Sequence, residues 1–433
     1  MKKSIYFHID EYNRDTIVAA GLFKKLGKEF NFFFGNRLDE FRLKSYDVFD
    51  IYIFPSLEKL ENAFKEPKNC KGKIFILPHE SISGSTKVKR RLELHLTGVI
   101  SDKGLKKKWL SKISGFFLWG KSHYKVLKNY SKELSNKSII VGHPRHDKSF
   151  YKKNNNYNKK FSVGLVSRFD RINIFDDRIN FENIYYGWLD KFNFNYAFDN
   201  KRNVEHQFFN LVLDFRFFLD IILLLNKKKI VPEIRPHPRE NRNNWFKFRN
   251  KTNLDFNIGK FDETFVDWIN RQDLIICSAS TSLYDCVLLN KNTIVIDSLS
   301  NERAKHGNLF LDDFDPIIKY LNRPKSIKAI EKILYQKNKV KFTHGLKKLL
   351  NNEVNYPDHN NSLEKITNFL KTNHSFKAGF NLSKLIKQKI FIITQNYIAF
   401  KFLIKRAIGF KEVSSIFSLG FLRYRSIKNY FND

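Results

Sequence analysis

The sequence predicts an α/β protein with two Rossmann-like domains, each built on a parallel sheet, followed by a C-terminal helical region that is basic and apolar. Short apolar runs alternate with helical patterns over residues 4–150 and again over 161–345, and a polar stretch separates the two sets. Strands that alternate with helices are typical of βαβ units. A chain of 433 residues also exceeds the usual size of one core, so two domains are expected.

The N-terminal domain, residues 1–150, contains seven short apolar runs that we predict to be strands. The first run, residues 4–9, is broken by His8 and followed by two acidic residues, so it is a buried strand and not a signal peptide. Residues 16–26 have helical spacing. The other predicted strands are residues 30–34, 50–54, 73–77, 97–100, 115–119 and 138–141.

The second domain, residues 161–345, follows a predicted linker at residues 151–160, which is rich in Lys and Asn and low in complexity. Its predicted strands are residues 161–166, 230–234, 274–276 and 293–296, and its predicted helices are residues 207–226, 283–289 and 326–336. Residues 346–433 form the C-terminal helical region, which we expect either to pack back on the N-terminal domain or to associate with a membrane.

The formal net charge of +34 is typical of proteins that bind nucleic acid or anionic membranes. The favoured residues Lys, Asn, Ile and Phe have codons rich in A and T, which gives a second explanation for the lysines. No nucleic-acid module or basic-aromatic stripe accompanies the charge, so we do not expect a nucleic-acid partner. Three cysteines without CxxC spacing exclude a disulfide framework and a zinc site, and they fit a reducing cytoplasm.

A loop with basic side chains at alternate positions follows the apolar residues 221–231. It carries Arg235, His237 and Arg239, and two prolines keep its backbone extended. Arg grips a phosphate through two hydrogen bonds, and His donates a hydrogen bond or a proton to it. We therefore expect this loop to bind phosphate, the alternative being a rigid surface turn.

A second loop is rich in hydroxyls, follows residues 274–276 and leads into a predicted helix. Ser282 and Asp285 fit a capping box with Ser282 as the N-cap, and the surplus hydroxyls allow a ligand phosphate to approach the helix N-terminus. Asp285 is alternatively an acceptor for a ribose. Both loops follow parallel strands and are expected at one edge of one sheet, facing an interdomain cleft. The predicted ligand contacts are Ser278, Ser280, Thr281, Ser282 and Asp285.

Two further strand ends carry candidate binding residues. Ser167 and Arg168 end the first strand of the second domain, where they are predicted to meet a diphosphate. His143 lies in the segment that closes the first domain. That segment is either a simple turn or a wall of the cleft.

Carboxylates at strand ends of the first domain are candidates for the base that deprotonates an attacking hydroxyl. Glu80, beside His79, is the preferred candidate. Asp10 and Glu11 are the other acceptor-side candidates, with a helix N-terminal cluster as their alternative role. The pair at residues 176–177 lacks a third ligand, so no metal site is expected.

Together these motifs resemble those of GT-B glycosyltransferases, and most closely those of bacterial surface carbohydrate biosynthesis proteins. Capsule transferases, polysialyltransferases and CDP-glycerol glycerophosphotransferases are more distant likenesses. The resemblance is carried by the two loops above and by residues 116–120, 142–147 and 164–170. The chain departs from the family pattern at His143, where Asn is expected, and at Asp285, where many of the enzymes have Glu.

The resemblance implies a metal-independent enzyme without a cofactor that transfers a sugar from a nucleotide-activated donor, with a lean towards CMP or CDP derivatives. The donor would be held mostly by the second domain and the acceptor by the first. Arg235 and His237 would stabilise the leaving phosphate. The alternatives are a nucleotide-sugar epimerase of the same fold and a non-catalytic nucleic-acid-binding protein.

The tail at residues 382–433 is apolar and basic. Its most apolar stretch, residues 390–400, is too short to span a bilayer as a helix. One expectation is that its helices pack on the first domain. The other is that residues 382–433 lie on an anionic membrane surface. The second expectation suits a glycan or lipid-linked acceptor and a cytoplasmic enzyme at the inner face of the membrane.

Overall fold

The computed structural model describes residues 2–10, 12–36, 39, 43, 47–78, 107–150, 160–169, 172–173, 201–237, 240–260, 263–296, 316–336, 340–373 and 381–407. The chain forms two compact units. The first consists of Met1–Phe150 and Lys347–Asp433, and the second of Tyr151–Leu346. The strand predicted at residues 97–100 lies outside the described residues.

The first unit is built on a six-stranded parallel sheet in the order β2-β1-β3-β4-β5-β6. Its strands are β1 (Ser4–His8), β2 (Asn31–Gly35), β3 (Ile51–Phe54), β4 (Lys73–Ile76), β5 (Ile113–Leu118) and β6 (Ile139–Ile140). Its N-terminal helices are α1 (Tyr12–Leu26), α2 (Leu57–Phe64), α3 (Lys107–Leu110), α4 (Lys121–Tyr130) and α5 (Lys132–Asn136). Short 3-10 helices occupy Pro67–Asn69, Pro144–His146 and Lys148–Phe150.

Both faces of this sheet are covered by core. In β1, Tyr6 packs into the cluster on one face, whereas Ile5 and Phe7 pack into the cluster on the other. Successive strand side chains point to opposite faces, so a strand buried on both sides must be apolar at every position. This is why the strands appear in the sequence as continuous apolar runs.

The second unit contains a five-stranded parallel sheet in the order β11-β10-β7-β8-β9. Its strands are β7 (Val163–Val166), β8 (Glu233–Arg235), β9 (Asn257–Ile258), β10 (Leu274–Cys277) and β11 (Asn292–Val295). Its helices are α6 (Lys201–Lys227), α7 (Arg242–Thr252), α8 (Phe265–Asn270), α9 (Ser282–Leu288) and α10 (Ile327–Ile333). β7 is the central strand and pairs with β8 and β10.

The strand β8 differs from its prediction in a way that affects the site. It begins after Pro232 and includes Arg235, whereas the prediction began at Ile230 and ended before Arg235. Val231 is exposed and Pro232 has no N–H to donate to a sheet, so regular pairing starts only at Glu233.

Beyond α10 the described residues form three helices, α11 (His344–Val354), α12 (Ser362–Asn373) and α13 (Leu382–Ala407), with a 3-10 helix at Asp358–Asn361. In α12, Ser362 donates to the carbonyl of Val141 at 2.7 Å, and Leu363 N–H donates to Asp147 at 2.9 Å. Leu363 also joins a core cluster of the first sheet. Residues 347–373 therefore pack on the first unit.

The long helix α13 contacts the first unit along one side. Gln388 donates to the carbonyl of Val48 at 2.9 Å, and Gln395 donates to that of Phe34 at 3.0 Å. Phe391 lies between the two glutamines and is fully buried in the core. Among the described residues, no helix combines the length and the apolar character needed to cross a membrane.

Candidate functional site

The candidate site lies where three neighbouring parallel strands of the second unit end. β7 lies between β8 and β10, so the segments after these strands emerge at the same edge of one sheet. They carry Ser167 and Arg168, His237, and the hydroxyl residues from Ser278 onward. The predicted placement of the two loops at one sheet edge is confirmed. Carboxyl edges of parallel sheets are where such folds bind ligands.

Glu240 connects the segments that follow β7 and β8. Its side chain is 1% exposed. One carboxylate oxygen accepts from Ser167 Oγ at 2.7 Å, Phe169 N at 2.8 Å and His237 N at 3.2 Å. The other oxygen accepts from Trp245 Nε1 at 2.7 Å and Asn173 Nδ2 at 3.4 Å. Five donors thus surround one buried carboxylate.

His237 begins a tight turn after β8. Its carbonyl accepts from Glu240 N at 2.9 Å, and its own N–H returns to the Glu240 carboxylate. The bond from residue i+3 to residue i is that of a β-turn. The residue is half-buried, and these two bonds hold its backbone. Arg239 lies outside the described residues.

Arg235 differs from the expectation that it grips phosphate. It is 7% exposed, and its guanidinium donates to the carbonyls of Lys260 at 2.6 Å and Glu263 at 2.5 Å. Burial lowers the pKa of Arg235 to about 10, which keeps it charged at neutral pH. Its donors bind the segment that follows β9, and Arg242 assists by donating to the carbonyl of Gly259.

Ser167 and Arg168 join the central strand to its neighbours. Ser167 N donates to the carbonyl of Arg235 at 3.1 Å, and its hydroxyl donates to Glu240. Arg168 donates to the carbonyl of Ala279 in the hydroxyl-rich loop. The end of β7 is therefore tied to the loops on both sides.

The hydroxyl-rich loop turns into α9 one residue earlier than predicted. Thr281 is the N-cap and makes no capping hydrogen bond through its side chain. The predicted capping box with Ser282 as N-cap is wrong, because Thr281 already has helical backbone angles and Ser282 is the first helical residue. The hydroxyls of Ser280 and Ser282 hydrogen-bond to each other.

The residues of this loop that were predicted to contact a ligand differ in burial. Ser278 and Asp285 are buried, whereas Ser280, Thr281 and Ser282 are half-buried. The accessible hydroxyls are consequently the three at the beginning of α9. These are the ones that a ligand at the sheet edge would meet first.

The role of Glu240 was not predicted from the sequence. It directly follows the loop of Arg235, His237 and Arg239, where a Glu after a Pro-rich turn is usually a solvated charge. The available signal was an acidic residue two positions before a Trp-containing helix pattern. Its burial could not be anticipated, because its partners at 167–173 lie about seventy residues away in the chain.

On the first unit, Asp10 is the acceptor-side carboxylate whose surroundings are described. It is exposed, pairs with Lys59 Nζ at 3.1 Å, and its N–H donates to Asp15 at 2.9 Å. Glu11, His79 and Glu80 lie outside the described residues. Pro78, directly before His79, accepts a hydrogen bond from Trp119 Nε1 at 2.7 Å.

His143 lies in a buried aromatic cluster at the end of β6. Its Nδ1 accepts from Arg145 N at 3.0 Å, and its ring meets Trp119 edge-on at 4.1 Å between centroids. His146 and His359 extend the cluster. With Nδ1 occupied as an acceptor, the proton of a neutral His143 ring is on Nε2.

The described residues contain no group of three or more His, Cys, Asp or Glu side chains arranged to hold a metal ion. The pair Asp176 and Asp177 lies outside those residues.

Comparison with known proteins gives similarity in structure only. No protein-family model and no curated protein matches the chain. A variant of the wall teichoic acid polymerase TagF matches with a TM-score of 0.50 at 10% sequence identity, over 86% of this chain and 89% of that one. A putative UDP-N-acetylglucosamine 2-epimerase from Listeria monocytogenes matches with a TM-score of 0.45 at 11% identity, over 88% of this chain and all of that one.

At this level of identity the likeness to the polymerase concerns the fold. Two parallel sheets with flanking helices and additional C-terminal helices are what the sequence predicted. The chain is therefore an α/β protein of the GT-B-like fold, similar over most of its length to a wall teichoic acid polymerase.

Proposed function

We propose that the chain is a glycosyltransferase that moves a sugar from a nucleotide-activated donor to a surface polysaccharide or lipid-linked acceptor. The observation that carries the proposal is the convergence of basic and hydroxyl side chains at the carboxyl edge of β7, β8 and β10. A nucleotide donor presents phosphates, and this edge offers the groups that bind them.

In this reaction the acceptor oxygen forms a bond to the anomeric carbon, and the bond from that carbon to the donor phosphate breaks. The departing phosphate keeps the electron pair and gains negative charge. His237 is proposed to meet that charge by donating a hydrogen bond, together with Arg168 and the hydroxyls of Ser280, Thr281 and Ser282. Arg235 acts indirectly, because its donors hold the segment after β9.

The acceptor proton must pass to a base. Glu80 remains the preferred candidate, with Asp10 and Glu11 as alternatives. Asp10 forms an ion pair with Lys59 at 3.1 Å. His79 is proposed to line the acceptor side, and His143, which is 1% exposed, to support that side from within the protein.

Nucleotide binding gives the first test. CMP, CDP, UDP and GDP are titrated separately and the melting temperature is followed, because a ligand that binds only the folded state raises it. We expect one of the four, with CMP or CDP favoured, to stabilise the protein. If none of the four does so, the edge is not a nucleotide site.

Turnover gives the second test. His237→Ala is expected to lower the transfer rate by about a hundredfold, the effect of roughly 3 kcal/mol lost at a developing charge. His344→Ala is the control, because His344 is exposed at the start of α11. Wild-type turnover in a folded His237→Ala protein would remove His237 from the catalytic set.

The acceptor requirement separates the alternatives. Labelled nucleotide sugars are incubated with and without a lipid-linked acceptor. A transferase needs the acceptor, whereas an epimerase changes the donor sugar without it. A salt-sensitive DNA mobility shift without any sugar chemistry would instead favour the nucleic-acid-binding alternative.

The proposed partner of α13 is an anionic membrane surface. The inner side of the helix carries Phe391 between two buried glutamines, Gln388 and Gln395, whereas isoleucines such as Ile386 and Ile393 are exposed to solvent. The outer stripe is spaced at helical intervals and its members are 40–65% exposed; it comprises Leu382, Ile386, Ile390, Ile393 and Tyr397. Residues 382–407 include six Lys or Arg and no acidic residue. Lys384 pairs with Asp50 of the first unit, and the other five are proposed to meet anionic head groups.

Flotation with phosphatidylglycerol vesicles at low salt tests this assignment. We expect the wild type to float and a variant with Ile386→Asp and Ile393→Asp to stay at the bottom. The matched control carries Val212→Asp and Tyr335→Asp, which alter equally exposed apolar residues of the second unit. Flotation of both variants, or of neither wild type nor control, would contradict a membrane role for the stripe.

A further inference from the structure

We infer that Glu240 is a positioning residue that fixes the geometry of the donor site. The inference rests on the proposed function, because it concerns the edge at which the nucleotide is proposed to bind. Glu240 does not itself present a free face to that edge, since it is buried beneath the loops that it joins.

The hydrogen bonds of Glu240 reach three separate stretches of the chain. Ser167 and Phe169 belong to the end of the central strand β7, His237 to the turn after β8, and Trp245 to α7. A single carboxylate therefore sets the position of His237 relative to the backbone beside Arg168. Both are groups that the proposed reaction uses.

The chemistry of the partners requires a carboxylate at this position. Phe169 and His237 present backbone N–H groups, and Trp245 presents an indole N–H, none of which can accept a hydrogen bond. Only an ionised carboxylate accepts on both oxygens. A glutamine would satisfy one side and direct its NH₂ group at donors on the other.

The same arrangement explains how a negative charge is tolerated beside a phosphate site. Burying an unpaired carboxylate is strongly unfavourable, but one with donors on every side is stabilised. Because its lone pairs are directed at the protein, Glu240 stiffens the loops before a ligand arrives. Preorganised groups stabilise charge better than groups that must move during the reaction.

The test compares Glu240→Gln with Glu233→Gln. Glu233 is a half-buried carboxylate at the amino end of β8, where it pairs with Arg271, whereas Glu240 follows the carboxyl end of that strand. Each substitution therefore removes one carboxylate, before or beyond the carboxyl end of β8. The affinity for the best nucleotide among CMP, CDP, UDP and GDP is measured by calorimetry for each protein.

Glu240→Gln is expected to weaken nucleotide binding by about tenfold or more, because the buried donors that face the glutamine NH₂ group lose their acceptor. Glu233→Gln is expected to leave the affinity unchanged. Equal affinity in wild type and Glu240→Gln would overturn the inference. An equal loss in Glu233→Gln would also overturn it, because the effect would then be general destabilisation of the sheet.

Amide hydrogen exchange separates this inference from the proposed function. The N–H groups of Phe169 and His237 are expected to exchange faster in Glu240→Gln than in Glu233→Gln, without any nucleotide present. If exchange is faster but the wild type binds no nucleotide, the donor-site proposal is contradicted, whereas the positioning of the loops by Glu240 is supported. Unchanged exchange would exclude that positioning.

A second variant keeps the test valid if Glu240→Gln folds poorly. Trp245→Phe removes the indole N–H that would face the glutamine NH₂ group. Adding Trp245→Phe to Glu240→Gln is therefore expected to restore most of the lost stability and part of the lost affinity. If the double variant is as impaired as the sum of the two single variants, Glu240 and Trp245 do not act through their hydrogen bond.

Discussion

Acidification should destabilise this protein through His359. The residue is 2% exposed in the 3-10 helix after α11, and its ring stacks on Tyr356 with 5.5 Å between centroids. Burial, with a further contribution from the charge of His146, lowers the pKa of His359 from 6.5 to about 4. In the unfolded chain the imidazole would titrate near its ordinary value.

The direction of the change in the free energy of unfolding depends on which state binds the proton. Between pH 6.5 and pH 4 the unfolded chain binds a proton at this histidine and the folded chain does not, so the free energy of unfolding falls as the pH is lowered through this window. Each pKa unit corresponds to about 1.4 kcal/mol, so the loss is roughly 3 kcal/mol in full. From pH 7 to pH 5 it is about 2 kcal/mol.

The assay is urea unfolding at pH 7 and pH 5 for wild type, His359→Gln and the exposed control His344→Gln. We expect the stability of wild type to fall more steeply than that of His359→Gln, by about 2 kcal/mol, because glutamine does not titrate. His344→Gln should follow wild type. The same pH dependence in wild type and His359→Gln would refute the reasoning, since the other histidines would then account for the whole effect.

Three further outcomes are expected from the packing. Gly164→Ala should lower the free energy of unfolding by about 1–3 kcal/mol in urea titrations, because the added Cβ would lie 2.6 Å from the ring of Trp268; an unchanged midpoint would contradict this. Phe391→Ala should cost about 3–5 kcal/mol in the same assay, because the ring is fully buried between α13 and the first sheet. A loss below 1 kcal/mol would mean that α13 is not part of that core. The buried Cys70 thiol, whose pKa is raised mainly by burial, should resist a thiol reagent until urea unfolds the protein, and rapid labelling of the native chain would count against its burial.

The order of strands along the chain and their parallel class were determined by the sequence. The strand predicted at residues 73–77 is found at Lys73–Ile76, and that predicted at 274–276 is found at Leu274–Cys277. Strands buried on both faces of a parallel sheet need apolar residues throughout, so they are visible as local runs. The clustering of the two loops at one edge follows from the same logic, because parallel strands end together.

Only the tertiary structure decided which polar side chains are available to a ligand and which hydrogen-bond within the protein. Arg235 and His237 look equivalent in the sequence, yet the guanidinium of Arg235 is directed at two backbone carbonyls. Glu240 looks like a surface charge but binds residues about seventy positions away. In α13 two glutamines face inward beside Phe391 while several isoleucines are exposed. These partners are distant along the chain, and local periodicity carries no information about contacts that form only when the sheets assemble.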